Sequence, residues 1–302
     1  MPAVILDDLS TGDRRNAPPG LPVYVGDIAD SALVSALISE HNVTSVIHLA
    51  GKILPNESLH NPILYFLENT SKSISLINSC ISSGVTNFVF SSTAAVYGIT
   101  GSAPVSESSA TNPISPYGKS KLIIEEVLSA VSIPHELNTT VLRYFNVAGN
   151  DPALRCGPRG ENPGHIIRAA VDVVSGVAPM LTVFGGDYET PDGTCIRDYI
   201  HVSDLAHAHI VALTENPAGE AFRIINCGYG AGASVLDVVH TIEAVTGRPL
   251  PYEIGPRRPG DPISVVADTT KISSLPGWNP RHEGLVSIIE SALQWQQYQR
   301  LG

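Results

Sequence analysis

Short apolar runs alternate along the first half of the chain with longer segments in which apolar positions recur at helical spacing. The runs predict strands at residues 3–6, 45–49, 87–90 and 140–142. Between them, Asp30 is a capping residue for a helix that extends to His41, and Asn61-Pro62 begins a second helix that Gly84 ends. Strands and helices that alternate in this way predict an α/β fold built on a parallel sheet.

The rhythm changes near residue 149, where prolines and glycines crowd together. They predict a loop that leaves the sheet, and its members are Pro152, Gly157, Pro158, Gly160, Pro163 and Gly164. Later strands are predicted at residues 195–201, 223–227 and 264–267, and they alternate with helices at 204–215, 235–245 and 285–297. We therefore divide the chain into a first domain at residues 1–150, with a return segment near 194–215, and a smaller α/β domain at residues 151–302.

The composition favours a sheet that is covered on both faces, because 43% of the 302 residues are hydrophobic and only 16% are charged. The formal net charge of -11 disfavours binding to nucleic acid or to an anionic membrane surface. The longest apolar stretch, residues 166–184, is interrupted by Arg168, Asp172, Gly176 and Pro179, which argues against a membrane span. Residues 1–8 carry no secretory signal pattern, so the cytoplasm is the predicted location.

The four cysteines, Cys80, Cys156, Cys195 and Cys227, are widely spaced and form no CxxC pair. No close grouping with histidine accompanies them, so the sequence predicts neither a zinc site nor a disulfide framework. We expect reduced, buried thiols and a functional site without a metal.

Tyr117-Gly118-Lys119-Ser120-Lys121 places a phenol and an ammonium four residues apart at the start of a predicted helix. Side chains at this spacing share one helix face. A neighbouring ammonium favours the phenolate and lowers the pKa of the phenol toward working pH, which suits a proton-transferring pair. A tyrosine and a lysine at this spacing also occur on ordinary solvated helices, so the motif alone does not decide a function.

Ser91-Ser92-Thr93-Ala94-Ala95-Val96-Tyr97-Gly98 follows a predicted strand, at the edge where open α/β sheets place their ligands. Hydroxyl groups at that edge can hydrogen-bond a reacting oxygen, although taken alone they can equally cap a turn. Together, the hydroxyls and the Tyr117/Lys121 pair indicate a catalytic site.

These motifs, with Arg143-Tyr144-Phe145-Asn146 and Arg197-Asp198-Tyr199-Ile200-His201-Val202, occur in the order found in UDP-glucose 4-epimerases of the extended short-chain dehydrogenase/reductase family. The chain resembles that family from Ile5 to near its end. The resemblance implies a Rossmann-like, doubly wound parallel sheet, an NAD cofactor and a homodimer formed by helices at residues 62–83 and 116–131. It also implies that Thr93 contacts the reacting hydroxyl, that Tyr117 is the general base and acid, and that Lys121 binds the nicotinamide ribose while tuning Tyr117.

In that family the sugar loses a proton from its fourth-carbon hydroxyl and a hydride to NAD, and the 4-keto intermediate rotates before the hydride returns. The resemblance therefore implies a UDP-sugar substrate. Its predicted contacts are Thr93, Tyr117, Asn146, Arg197, Arg258 in preference to Arg257, Asp261 and Val265. At the last of these positions the family has a bulky side chain in glucose-only enzymes and a small one in broader enzymes, so valine predicts room for UDP-N-acetylhexosamines.

On the cofactor side, Asp7 follows an apolar run as an acidic residue does after the second Rossmann strand, where it binds the adenine ribose. The resemblance adds as cofactor contacts Asp27, Ile28, Leu49, Ala50, Gly51, Lys52, Asn69, Tyr117, Lys121 and Tyr144. Such an acidic residue normally lies about 20 residues beyond a glycine fingerprint, yet only six residues precede Asp7. The first strand, GxxGxxG turn and first helix of the family are therefore expected to be missing from this chain.

A second glycine-rich segment, Gly228-Tyr229-Gly230-Ala231-Gly232-Ala233, fits the fingerprint locally because it follows one predicted strand and precedes a helix. Pro249 and Pro251 crowd the candidate strand that would come next. We therefore interpret these glycines as a structural turn.

Two other functions stay open on the sequence alone. A nucleotide-sugar 4,6-dehydratase or decarboxylase of the same superfamily would carry an acidic residue directly after the strand-end Ser/Thr, where this chain has Ala94 and Ala95. A nucleotide-sugar-binding protein that has lost catalysis would keep the pocket, and the presence of Tyr117 and Lys121 argues only weakly against it.

Overall fold

The computed structural model describes residues 2–159, 165–258 and 260–301 and confirms an α/β fold with parallel sheets. Its strands are β1 (Ile5–Asp7), β2 (Val23–Val25), β3 (Ser45–His48), β4 (Asn87–Thr93), β5 (Asn138–Tyr144), β6 (Asn146–Ala148), β7 (Leu181–Phe184), β8 (Ile196–His201), β9 (Phe222–Cys227), β10 (Gly232–Ser234), β11 (Tyr252–Gly255) and β12 (Ser264–Val265). Its α-helices are α1 (Ser31–His41), α2 (Pro55–His60), α3 (Pro62–Tyr65), α4 (Lys72–Ser82), α5 (Pro116–Ser132), α6 (Ile166–Val174), α7 (Val202–Thr214), α8 (Val235–Thr246), α9 (Thr270–Ser273) and α10 (Leu285–Leu301). A π-helical turn, Phe66–Ser71, joins α3 to α4.

Four parallel strands form the main sheet, in the order β3-β4-β5-β9. Because successive side chains of a strand point to opposite faces, Phe88 and Phe90 of β4 face one layer of helices and Val89 faces the other. The first layer packs through Leu76 of α4 and its neighbours on α1 and α5, and the second packs through Leu205 of α7. Burial on both faces explains why these strands read as continuous apolar runs.

The first two strands form a separate parallel pair. Among the described residues β1 pairs only with β2, and β3 pairs only with β4. Side chains attach the small sheet to the rest: Leu6 and Ile28 pack against the core beneath α1, and Asp27 forms an ion pair with Lys72 of α4 at 2.8 Å. In the described residues, the β1–β2 pair and the main sheet are therefore two separate sheets, with no hydrogen-bond ladder between β1 and β3.

The second half of the chain centres on β8, which pairs with β6 and β12 in parallel and with β10 in the antiparallel sense. β7 and β11 form a further parallel pair. Helices α6, α8 and α10 enclose a second large core, in which Val183, Tyr199, Val239 and Ile289 are buried. β9 then returns to the main sheet beside β5, beyond the return segment predicted near residues 194–215.

The observed elements extend some of the predicted ones. β4 continues to Thr93 and β5 to Tyr144, because their polar ends remain in the ladder between the two strands. Asp30 caps α1 by accepting hydrogen bonds from the N–H groups of Ala32 and Leu33. The loop predicted from residue 149 holds no helix or strand through residue 159, and its residues 160–164 lie outside the described residues. Within the described ranges, no helix has the length and apolar character needed to cross a membrane.

Candidate active site

Helix α5 carries the tyrosine and lysine that the sequence pairs. Ser115 caps its N-terminus, since its side chain accepts a hydrogen bond from the N–H of Gly118 at 3.2 Å, and Pro116 occupies the first helical position. Tyr117 and Lys121 follow one turn apart and are both buried. The two side chains therefore face the protein interior together.

Gly118 allows α5 to approach the end of β4 closely. A Cβ at this position would lie 2.7 Å from the carbonyl oxygen of Ala95. Thr93, the last residue of β4, accepts a hydrogen bond on its hydroxyl from the Ala95 N–H at 3.1 Å. The glycine thus brings the start of the helix, with Tyr117, against the strand end that carries Thr93.

Lys121 is a buried cation, with 2% of its surface exposed. Its ammonium donates a hydrogen bond to the carbonyl oxygen of Ser91 at 3.0 Å and lies 5.0 Å from the centre of the Phe90 ring. Burial lowers the pKa of Lys121 to about 8, while the Glu125 carboxylate acts in the opposite direction. The ammonium is therefore charged at neutral pH and loses its proton just above it.

The pKa of Tyr117 differs in direction from the one that the Tyr/Lys spacing predicts. Burial raises the pKa of this phenol, and the Thr93 side chain acts to lower it. Desolvation of the phenolate therefore outweighs the effect of the Thr93 hydroxyl. Tyr117 is a neutral phenol in this state.

Asn69 joins the end of β3 to helix α5. Its side-chain oxygen accepts a hydrogen bond from the Lys52 N–H at 2.7 Å, and its amide donates to the Lys52 carbonyl oxygen at 3.0 Å and to the Ser120 hydroxyl at 3.1 Å. Gly51 has a φ of 148°, and a Cβ there would lie 2.9 Å from the Asn69 oxygen and 3.6 Å from Nζ of Lys121. Gly51, Lys52 and Asn69 thus lie beside the catalytic candidates.

The other predicted cofactor residues lie at neighbouring strand ends. Asp7 closes β1, and its carboxylate accepts a hydrogen bond from the Leu9 N–H at 2.7 Å. Asp27 follows β2, and its hydrogen-bonded ion pair with Lys72 lowers the pKa of the carboxyl. Within the described hydrogen bonds and ion pairs, neither aspartate touches Tyr117 or Lys121.

The remaining predicted site residues also lie at or near the ends of strands. They are Ile28 after β2, Leu49 and Ala50 exposed after β3, Tyr144 at the end of β5 and Asn146 at the start of β6.

Three of the predicted substrate residues, Arg197, Asp261 and Val265, are neighbours in the structure. Its guanidinium donates a hydrogen bond to the Asp261 carboxylate at 2.5 Å. Val265 lies opposite Arg197 in the β8–β12 ladder and packs against the same small buried cluster as Ala94. Arg197, Asp261 and Val265 therefore lie together, and Val265 connects them to the segment directly after Thr93.

The two arginines that are adjacent in sequence, Arg257 and Arg258, have different partners in the structure. Arg257 is committed to Asp187, because its Nε donates to the carboxylate at 2.7 Å. Arg258 has no such ion pair among the described residues and lies over the ring of Phe184, with 4.0 Å between its Cζ and the ring centre. Arg258 is accordingly the guanidinium with its charge available to a ligand.

Sequence reasoning missed two aromatic residues beside these arginines. Phe184 ends β7, a strand whose signal is the alternation of buried Leu181 and Val183 with less buried neighbours. Tyr188 is buried, lies 4.2 Å from the Arg257 guanidinium carbon, and its hydroxyl has no hydrogen-bond partner among the described residues. An unpartnered buried hydroxyl is typical of a group that a ligand satisfies.

The second glycine-rich segment is a turn closed by an internal carboxylate. Asp198 accepts hydrogen bonds from the N–H groups of Tyr229 and Gly230, each at 2.9 Å, and from that of Ala267 at 3.1 Å. Burial raises the pKa of Asp198, and these three N–H groups act to lower it. Two N–H groups of the turn that could face a phosphate are thus already occupied by the protein itself.

Metal-ligand chemistry is not apparent in the parts of the chain that the structure describes, where no group of three or more His, Cys, Asp or Glu residues could hold a metal ion. Cys80, Cys156, Cys195 and Cys227 are free thiols, of which Cys156 is only partly buried.

A scan against protein families matches residues 2–228 to the NAD dependent epimerase/dehydratase family. A UDP-glucose 4-epimerase from Azospirillum brasilense is 47% identical over 98% of this chain and 85% of that protein. The similarity therefore covers both the strand-end motif and the substrate-side residues.

Two solved structures are similar in fold over nearly the whole chain. A UDP-glucose-4-epimerase from Stenotrophomonas maltophila with bound NAD and formylated UDP-arabinopyranose has a TM-score of 0.94 and 34% identity, and covers 99% of this chain and 91% of its own. The UDP-Glc/GlcNAc 4-epimerase from Campylobacter jejuni has a TM-score of 0.82 and 39% identity, and covers 98% of this chain and 91% of its own.

Proposed function

The chain belongs to the NAD dependent epimerase/dehydratase family, and from this premise we propose that it is a UDP-hexose 4-epimerase that uses NAD. The observation that carries the proposal is the buried set Thr93, Tyr117 and Lys121, assembled where β4 ends against the start of α5. Relatives with UDP-glucose 4-epimerase activity in their names match the chain across both halves. Epimerisation at the fourth carbon of the hexose is the reaction that this combination supports.

The residues around Gly51 fit a closely bound cofactor. Gly51 has a φ of 148° and no Cβ, which would crowd the Asn69 oxygen at 2.9 Å, so the backbone after β3 allows a ligand to approach closely beside Asn69 and Lys121. Lys121 and Tyr117 would hold the nicotinamide half, with Asn69 and Tyr144 as further cofactor contacts. Asp7 would hold the adenine ribose, and the adenine and pyrophosphate would lie against Asp27, Ile28, Leu49, Ala50, Gly51 and Lys52. When bound, NAD accepts a hydride from the sugar and returns it.

The chain's own residues manage the proton. Thr93 offers a hydroxyl that can bind the reacting sugar oxygen, and Tyr117 takes the proton from that oxygen and later gives it back. Burial keeps Tyr117 a neutral phenol, and the Thr93 hydroxyl acts in the opposite direction. In the proposal, the Lys121 ammonium would favour the phenolate as the proton is transferred. Proton transfer by such a group contributes about 10²–10⁴-fold to the rate.

We assign a diphosphate to two guanidinium groups of the substrate side. Arg258 has no ion pair among the described residues, so its charge is available, whereas the charge of Arg197 is shared with Asp261, which also fixes its position. Phe184 lies directly under Arg258 and supplies an aromatic face, while Asn146 extends the site at the start of β6. We place the UDP group of the substrate on these residues.

The function is tested by incubating the purified chain with NAD and UDP-galactose. We expect UDP-glucose to form with no net accumulation of NADH, and protein-bound nicotinamide to be released on denaturation. A sugar product that has lost water or CO₂ would instead identify a dehydratase or decarboxylase. Binding of the UDP-sugar without turnover would favour the nonenzymatic alternative.

Substrate breadth depends on Val265 in this proposal. We expect the chain to interconvert UDP-N-acetylhexosamines as well as UDP-hexoses. Val265→Tyr should lower kcat/KM for the N-acetylated substrate by about 5- to 150-fold, since overfilling a packed site costs about 1–3 kcal/mol. Conversion of UDP-galactose by the same variant is the internal control. Equal losses on both substrates would contradict a wall on the N-acetyl side.

We further propose a homodimer built on residues 62–83 and 116–131. Ile63 and Leu67 are 74% and 54% exposed, one helical turn apart on the same side, which is costly on a monomer. In a two-fold interface a single substitution is present twice. We expect Leu67→Asp to convert a dimer to a monomer in analytical ultracentrifugation, whereas Ile133→Asp, 75% exposed at the other end of α5, leaves the dimer intact. A monomeric unmodified chain would contradict the proposal.

The cytoplasm remains our proposed location. It is supported by the free state of Cys80, Cys156, Cys195 and Cys227, since thiols persist in a reducing compartment.

A further inference from the structure

We propose that the buried ion pair between Glu125 and Arg143 is a positioning device for Lys121, which fixes helix α5 and the end of β4 around the lysine and holds a carboxylate on the same face of α5. The inference rests on the proposed function, because it gives Lys121 a role beside Tyr117. Glu125 and Arg143 are not among the residues proposed above to bind the substrate or the cofactor.

The pair is closely formed and fully enclosed. Nε of Arg143 lies 3.1 Å from both carboxylate oxygens of Glu125, and Nη2 lies 2.5 Å from Oε2. The Ser92 hydroxyl donates a further hydrogen bond to Oε1. Both charged side chains are buried. The pair therefore ties together α5, β5 and the residue that precedes Thr93 on β4.

A second ring of contacts extends the pair toward β9. The Tyr97 ring lies 4.9 Å from the guanidinium carbon of Arg143, and the Tyr97 hydroxyl donates to the Asn226 side chain at 2.6 Å. The N–H of Asn226 donates to the Glu107 carboxylate at 2.8 Å. These neighbours restrain the ring and amide next to Arg143, so the guanidinium keeps a fixed position.

Glu125 lies one helical turn after Lys121, on the same buried face of α5. It is the carboxylate that opposes the burial-driven fall in the pKa of Lys121. His48 on β3 adds no positive charge, since burial lowers its pKa to about 3. The remaining polar and ionisable groups near Lys121 and its Ser91 contact are Tyr117, Tyr144, Ser91 and, bonded to Ser91, His209. Burial thus disfavours the ammonium form of Lys121, and the Glu125 carboxylate of the ion pair favours it.

The pair carries two opposite charges, so the two single substitutions should move the pKa of Lys121 in opposite directions. Neutralising Glu125 alone leaves the Arg143 cation without its counter-ion, which disfavours the ammonium. Neutralising Arg143 alone leaves an uncompensated carboxylate, which favours it. Neutralising both still removes the Glu125 carboxylate, the charge that acts more strongly on Lys121, so the ammonium stays less favoured than in the unmodified chain. A purely structural pair would not produce two shifts of opposite sign.

The experiment reads Lys121 directly in the ligand-free chain, so it needs no turnover. The sequence has five lysines, Lys52, Lys72, Lys119, Lys121 and Lys271, and in protein labelled with ¹³C-lysine each Cε resonance can be followed against pH. Lys121→Arg assigns the resonance of interest. In the unmodified chain we expect it to titrate near a pKa of about 8.

We expect Glu125→Gln to lower the pKa of Lys121 by about one pH unit. Arg143→Gln should raise it by less, and Glu125→Gln/Arg143→Gln should leave it below the starting value, because Glu125 is the charge that acts more strongly on Lys121. Ser92→Ala removes one hydrogen bond without changing charge and is the matched control, with no shift expected. In active protein, the alkaline limit of kcat should move with the measured pKa.

Shifts of the same sign in both single variants, or no shift in either, would overturn the proposal. Either single variant is sufficient to decide the sign if the other does not fold. Failure of all three charge variants to fold would assign the pair a structural role only and would also overturn it. Lack of epimerase activity with the expected shifts would count against the proposed function and leave the inference on Lys121 standing.

Discussion

Replacing Tyr117 with phenylalanine is expected to lower kcat for the conversion of UDP-galactose by about 10²–10⁴-fold, the usual contribution of a positioned proton-transfer group. The substitution removes the phenolic oxygen that is proposed to take and return the proton. The aromatic ring still fills its buried place at the start of α5, so the thermal unfolding midpoint should change little. The measurement is steady-state kinetics with NAD saturating, together with a binding titration of UDP-galactose.

Tyr65→Phe is the matched control for this experiment. Tyr65 packs edge-on against Tyr117, with 6.3 Å between ring centres. Its hydroxyl accepts a hydrogen bond from the Leu54 N–H at 3.1 Å and lies 2.8 Å from both the Leu54 carbonyl oxygen and the Glu57 carboxylate. Each lost hydrogen bond costs on the order of 1 kcal/mol of stability, so kcat should fall far less than in Tyr117→Phe. Equal losses in the two variants would show that Tyr117 has no special place in proton transfer.

Replacing Trp295 with alanine is expected to lower the free energy of unfolding by about 3–5 kcal/mol, the range for a fully buried large aromatic residue. Trp295 lies on α10, is completely buried, and donates a hydrogen bond from its indole nitrogen to the Pro158 carbonyl oxygen at 3.0 Å. Gly157 leaves the space that the indole fills, since a Cβ there would lie 2.4 Å from the ring. The substitution therefore loses the anchor between α10 and the loop after residue 149. Urea denaturation followed by far-UV circular dichroism measures the change.

Tyr298→Ala provides the comparison on the same helix. Tyr298 packs against Trp295 but is 46% exposed, so its loss should cost less than about 1 kcal/mol. A similar cost for both substitutions would mean that α10 contributes through its helical propensity rather than through the buried indole.

Apolar runs and helix caps made the central part of the fold predictable. The strands buried on both faces, such as β4 and β5, have the strongest apolar signal, and Asp30 caps its helix as expected. Short strands such as β6 and β10 left no comparable signal, because three residues are too few for a period to be recognised. Their existence depends on pairing with β8, a contact over a long distance in sequence.

The part of the candidate site that lies in one local motif was predictable from the sequence. The part that is assembled from segments distant in sequence was less predictable. Tyr117 and Lys121 follow from their spacing on one helix, but their ionisation does not. Burial is a property of the folded chain, and it raises the pKa of Tyr117 where the spacing predicts a lowered one. The choice of Arg258 over Arg257 came from resemblance, and the pairing of Arg257 with Asp187 now gives it a physical reason. Phe184 escaped notice because the strand that carries it was not recognised.

The division of the parallel layer between β1 and β3 has a consequence for how the protein responds to its ligand. Elements joined by side-chain packing without shared ladder hydrogen bonds can open separately, so the β1–β2 pair is able to loosen while β4 and β5 stay intact. A dinucleotide that reaches from Asp7 to Lys121 would connect the two units and make them unfold together. On the proposed cofactor assignment, bound NAD therefore stabilises the association of the β1–β2 pair with the main sheet. The cooperativity of unfolding should then depend on the NAD concentration.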